Sequence, residues 1–126
     1  MSNQPQPKGA VLVVDDDDTV RSGLFWALTS DYKVFQAASR EEACTQINDE
    51  EIDVVVSDLH LPPNVDDIAE GLALIDVARA QDPPLQVVVI TGSDSKRAPL
   101  EAVKRGAYGF FEKPLDPAEL LHIVNQ

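Results

Sequence analysis

The 126-residue chain has a mass of 13.7 kDa, with 44% apolar and 25% charged residues, which is the size and make-up of one packed domain rather than a disordered segment. Ten Lys and Arg against 22 Asp and Glu leave a formal net charge of −12, a field that repels nucleic-acid phosphates and anionic lipid, so neither nucleic acid nor membrane is expected as a direct partner of this segment. The lone Cys44 forms no internal disulfide, no His/Cys group has zinc spacing, no apolar run approaches the ~18 residues of a membrane span, and the polar start is no signal peptide, so the expected location is cytoplasmic.

Residues 1–8, with Pro5 and Pro7, read as a flexible tail, and residues 9–126 as one domain. Ala10 to Val14 is a β-branched run without alternation, as in a strand buried on both faces. The segment to Ser30 sets Val20, Leu24, Ala27 and Leu28 on one helical stripe. Val34-Phe35 is a short second strand, and Ser39 opens a helix with Glu42 as its capping-box partner. Ile52 to Ser57 predicts a third strand and Gly71 to Ala80 a helix stopped by Asp82-Pro83-Pro84. Val87 to Ile90 is the fourth strand, Ser95 to Arg105 a helix, and Gly109 to Phe111 the fifth strand. Asp116 then caps a last helix with Pro117 at its first position. Strand and helix alternate five times, which predicts a doubly wound α/β sandwich with a parallel sheet and a ligand crevice beyond the carboxyl ends of its strands.

Those ends carry polar residues. Asp15, Asp16, Asp17 and Asp18 follow strand one, Asp58 follows strand three, Thr91 strand four, and Lys113-Pro114 strand five. A single aspartate after a strand is ordinarily a helix cap or turn former, and Asp17 or Asp18 fits that role. Carboxylates from several strands converging on one crevice instead require a cation, and hard oxygen ligands select Mg²⁺ or Mn²⁺. A hydroxyl and an ammonium on the same rim complete a cradle for a phosphoryl group. The chemistry that fits is phosphoryl transfer with one aspartate as nucleophile.

Four segments carry a family resemblance: Val11-Leu12-Val13-Val14-Asp15-Asp16-Asp17, Val54-Val55-Val56-Ser57-Asp58-Leu59-His60-Leu61-Pro62, Val87-Val88-Val89-Ile90-Thr91-Gly92 and Phe110-Phe111-Glu112-Lys113-Pro114. From Lys8 to Gln126 the sequence resembles the receiver (phosphoacceptor) domain of two-component response regulators. The resemblance implies a flavodoxin-like (βα)5 fold with strand order 2-1-3-4-5. It implies a signalling receiver rather than an enzyme, catalysing only its own phosphotransfer and slow autodephosphorylation. Asp58 would take a phosphoryl group from a sensor histidine kinase or phosphotransfer protein. Asp16 would bind Mg²⁺ (or Mn²⁺) directly and Asp15 largely through water, with Asp58 and the backbone carbonyl of His60 as further ligands. Thr91 would bond the phosphoryl oxygen, Lys113 would pair with Asp58 or its phosphate, and the peptide before Pro114 would be cis. Thr91 and Phe110 would act as the switch, turning inward on phosphorylation and altering the surface of helix 4, strand 5 and helix 5. That surface, with Lys96, Arg97, Lys104 and Arg105 opposite Asp116 and Glu119, would support a phosphorylation-dependent homodimer, and an effector domain could follow in a longer parent protein.

The sequence departs from the family pattern in a loop about five residues longer between Asp58 and Gly71 (residues 63–70), and in Phe110 rather than tyrosine at the aromatic switch position. A rival reading is a haloacid-dehalogenase-like phosphatase, with Asp15 as nucleophile, Asp17 as acid/base, and Thr91 and Lys113 as later motifs. It leaves Asp58 without a role and lacks a further acidic motif after Lys113. A third reading, an interaction module that has lost phosphorylation, usually shows a missing acid, acceptor or lysine, and none is missing here. His60 and His122 read as solvent-facing, Cys44 as a small apolar residue, and Phe25 and Trp26 as lying off the main apolar stripe.

Overall fold

The computed structural model of the protein describes residues 7–63, 67–92, 98–113 and 116–125. In chain order the elements are β1 Ala10–Val14, α1 Asp18–Leu28, β2 Lys33–Ala37, α2 Arg40–Asp49, β3 Val54–Ser57, α3 Ala69–Arg79, β4 Gln86–Thr91, α4 Ala98–Lys104, β5 Gly109–Glu112 and α5 Pro117–Val124. The five strands form one sheet in the order β2-β1-β3-β4-β5, every pairing parallel.

The unbroken apolar runs are explained by the two layers that cover the sheet. Alternate residues of each strand point to opposite faces. Leu12, Val14, Val55, Val87 and Val89 meet Ala43 and Ile47 of α2, Leu74, Ile75 and Ala78 of α3, and Ala102 of α4. Val11, Val13, Val56, Val88 and Ile90 meet Leu28 of α1 and Leu120 and Val124 of α5. In the central strands β1 and β3 and along Val87 to Thr91 of β4 both faces are covered, whereas the edge strand β2 leaves Lys33 and Gln36 exposed.

Side-chain caps set several element limits. Asp17 accepts the N–H groups of Thr19 and Val20 at the start of α1, and Asp116 accepts that of Ala118 ahead of Pro117 in α5, as expected. Ser39 caps α2, but the Glu42 carboxylate takes the N–H of Ala38 at 3.4 Å rather than that of Ser39. β3 begins at Val54 and not at Ile52, because the Asp53 carboxylate takes the Ala10 N–H at 2.8 Å before the regular ladder starts. α3 begins two residues earlier than expected, where Asp67 Oδ1 accepts the N–H groups of Ile68 and Ala69. The expected start of α4 at Ser95 lies outside the described residues.

Of the expected tail, Lys8 is held: its N–H donates to the Asp31 carbonyl at 2.8 Å and its ammonium lies 3.5 Å from the Asp31 carboxylate. Gly71 marks a close approach. A Cβ there would stand 2.4 Å from both the Cα and the carbonyl oxygen of Leu59, so only glycine lets α3 lie against the segment that follows β3.

Candidate functional site

Strand pairing decides which side chains meet at the carboxyl edge. β1 and β3 pair with Val14 opposite Ser57, so the next residues, Asp15 and Asp58, leave neighbouring strands side by side. The ladder carries on through both. The Asp15 N–H donates to Ala37 O at 3.1 Å and the Asp58 N–H to Val14 O at 3.0 Å. β4 ends at Thr91, whose carbonyl accepts the Lys113 N–H at 2.9 Å, fixing the residue after β5 against the same rim. The order β1-β3-β4-β5 thus brings together Asp15, Asp58, Thr91 and Lys113, as the sequence predicts.

The Lys113 ammonium bridges the two carboxylates, 2.6 Å from Asp15 Oδ2 and 2.7 Å from Asp58 Oδ2. The Thr91 hydroxyl donates to Asp58 Oδ1 at 2.7 Å, and the His60 N–H donates to the same oxygen at 3.0 Å. Asp15 Oδ1 accepts the Asp17 N–H at 2.9 Å. Asp15 is 1% exposed, Asp58 8% and Thr91 not at all, so these bonds replace most of the lost hydration.

Burial pushes the Asp15 carboxyl above its ordinary value of 3.8, opposed by the hydrogen bonds from Lys113 and Asp17 and reinforced by the charge of Asp58. A raised carboxyl is expected for these acids, though its main cause is burial and not the neighbouring charge. For Lys113 burial works against the charged form, but the hydrogen bonds and charges of Asp15 and Asp58 together hold it above 10.5. The ammonium therefore stays protonated at neutral pH.

Two placements differ from expectation. Thr91 is expected to turn inward on phosphorylation, yet its hydroxyl already points in, because Asp58 Oδ1 is a charged acceptor within reach before any phosphate arrives. Phe110 is half-buried against the core on the α2–α3–α4 side of the sheet. His60 is half-buried rather than solvent-facing, while His122 is exposed. The Pro114 peptide, Lys96 and Arg97 lie outside the described residues. Arg105 faces α3, with its guanidinium on the Asp76 carboxylate at 2.5 Å.

One participant escapes sequence reasoning. Arg21, on the first turns of α1, donates through Nη1 to the carbonyl oxygen of Asp15 at 2.8 Å and through Nη2 to the Asp18 carboxylate. Its partner is a backbone atom, which leaves no signal beyond the Asp18–Arg21 spacing of three.

For a divalent cation the donor chemistry fits, since Asp15 and Asp58 offer hard carboxylate oxygens beside the exposed Asp16. Their present bonds to an ammonium show that the pair already attracts positive charge. Among the described residues, no three acidic, His or Cys side chains are preassembled at ligating distance.

The parallel sheet in the order 2-1-3-4-5 with helices on both faces is the fold of receiver-type signalling domains, and the comparisons agree. The family model for the response regulator receiver domain matches residues 11–125, and the chain belongs to that family. It is 31% identical over 120 residues to the DNA-binding transcriptional regulator NtrC of Proteus hauseri, covering 94% of this chain and 24% of that protein. The solution structure of the beryllofluoride-activated NtrC4 receiver domain dimer superposes with a TM-score of 0.80 at 32% identity, covering 92% of this chain and 93% of that one. Chemotaxis response regulator CheY4 of Vibrio cholerae gives a TM-score of 0.80 at 27% identity, covering 93% and 96%. The chain spans about a quarter of the length of the curated relatives NtrC and GlrR. Among the described residues, no helix is long and apolar enough to cross a membrane.

Proposed function

We propose that Asp58 is the phosphoacceptor of a Mg²⁺-dependent receiver that takes its phosphoryl group from a phosphohistidine of a sensor histidine kinase or phosphotransfer protein. The observation that carries this reading is the Lys113 ammonium shared between Asp15 and Asp58, with the Thr91 hydroxyl on the second oxygen of Asp58. In the transfer, an Asp58 carboxylate oxygen attacks phosphorus, the bond from phosphorus to the donor imidazole nitrogen breaks, and its electron pair stays on that nitrogen. Lys113 offsets charge on the transferred group, and Thr91 offers its hydroxyl to a phosphoryl oxygen. Asp15, Asp16, Asp58 and the His60 carbonyl would hold the divalent ion, which when bound neutralises charge between carboxylate and phosphate. The same groups would support slow autodephosphorylation.

The geometry speaks against the phosphatase alternative. Asp17, its acid/base, spends its carboxylate on capping α1.

The output assigned to α4, β5 and α5 rests on the exposed apolar side chains Leu100, Val103 and Tyr108. The dimer named for the NtrC4 receiver supports self-association. Effector activity such as DNA binding, named for the NtrC relative, would belong to a further domain of a cytoplasmic parent protein and not to this acidic segment.

Labelling with acetyl phosphate and Mg²⁺ tests the assignment. Wild type should gain an acid-stable, hydroxylamine-sensitive acyl phosphate, and Asp58→Asn should lose it. Labelling of Asp58→Asn near wild-type stoichiometry, or a label mapped to Asp15, would overturn the proposal.

A further inference from the structure

The chain turns sharply between the end of β1 and the start of α1, and within that turn sits Asp16. The Arg21 side chain is 17% exposed and spans the turn from the helix side, with one nitrogen on Asp15 O and the other on Asp18. The Asp15 carbonyl belongs to the peptide plane whose nitrogen is that of Asp16. Holding this plane sets Asp15 ψ, and with the next peptide held through the Asp17 N–H on Asp15 Oδ1, Asp16 lies between two fixed planes that limit the direction in which its side chain leaves the backbone. Elsewhere in the turn, Asp15 Oδ1 holds the Asp17 N–H, and Asp17 Oδ1 holds those of Thr19 and Val20.

We infer that Arg21 is a positioning residue for divalent-cation binding, acting through the Asp15–Asp16 peptide. The inference rests on the reading above that this rim binds such an ion. Charge and position make opposite demands. As a cation near a cation site, Arg21 repels the ion, so neutralising it should tighten binding if charge were its only effect. As a brace, its removal should weaken binding, as loss of the partners that orient metal ligands does in general.

The sign of the change therefore decides. Free Mn²⁺ would be counted by electron paramagnetic resonance in titrations of unphosphorylated wild type, Arg21→Met and Arg21→Lys. Unfolding in urea without metal would be measured in parallel. A core variant remote from the rim, Ile47→Val, serves as a stability control. Arg21→Met should bind Mn²⁺ about 10-fold more weakly. Arg21→Lys should recover part of the loss, having one point donor where arginine has a fork. Equal or tighter binding by Arg21→Met would overturn the inference, as would an equal loss in an Ile47→Val protein of matched stability. Absence of Mn²⁺ binding by wild type would instead remove the metal reading on which it rests.

Discussion

Asp15 carries the clearest electrostatic load in the molecule. Burial raises its folded pKa above 3.8, so in the window above that value the native state binds more protons than the unfolded chain. Stability then falls as pH rises through the window: the contribution is complete below the unfolded value and lost above the folded one. Lys113 remains charged throughout and does not blur the comparison. Asp15→Asn keeps the shape and removes the titration. Its stability relative to wild type should therefore climb between pH 4 and pH 7.5, measured by urea unfolding at each pH. A flat or falling difference would show that Asp15 is not the burdened carboxylate.

At the scale of elements, two helical glycines make opposite predictions. Gly71 lies against the Leu59 backbone, and a methyl there would have to displace the segment next to Asp58. Gly71→Ala should cost about 1–3 kcal/mol by overpacking and should also slow acetyl-phosphate labelling. Gly23, within α1, would place a Cβ with nothing inside 4 Å. Gly23→Ala should stabilise by about 0.5–1 kcal/mol, since alanine is the better helix former. Chemical denaturation of both variants checks the pair, and the same sign in both would contradict the packing described. The central strands were legible because they are buried on both faces, and the helices because each shows a stripe or a cap. Their limits were less so where a carboxylate replaces a backbone partner, as Asp53 does before β3 and Asp67 before α3. Asp15, Asp58, Thr91 and Lys113 could be found by position alone, at the ends of four adjacent strands. Arg21 could not, because a side chain bonded to a backbone carbonyl is specified by the turn and not by any residue type.

For the molecule as a whole, the inward Thr91 changes what phosphorylation has to accomplish. The hydroxyl already bonds Asp58, so the phosphoryl group would exchange one acceptor for another, displaced outward, rather than recruit a distant side chain. A ligand shifts a conformational equilibrium only by its differential affinity for the two states, and in the proposed mechanism that exchange would supply the difference. Thr91→Ala should still label on Asp58, yet a stable phosphoryl mimic should shift its sedimentation less than that of wild type. Equal shifts in both proteins would take Thr91 out of the coupling.

The bridging lysine also bears on how the chain assembles. β5 is the last strand and forms an edge of the sheet, and it delivers the ammonium that Asp15 and Asp58 share. A sheet complete through β4 would hold both acids in place, with their repulsion unanswered, until that final strand docks. Partly assembled forms are thereby penalised by the same charges that equip the finished rim. The Lys113 bridge thus ties the edge strand to the centre of the sheet, so the charges of the rim also favour a β5 that stays docked.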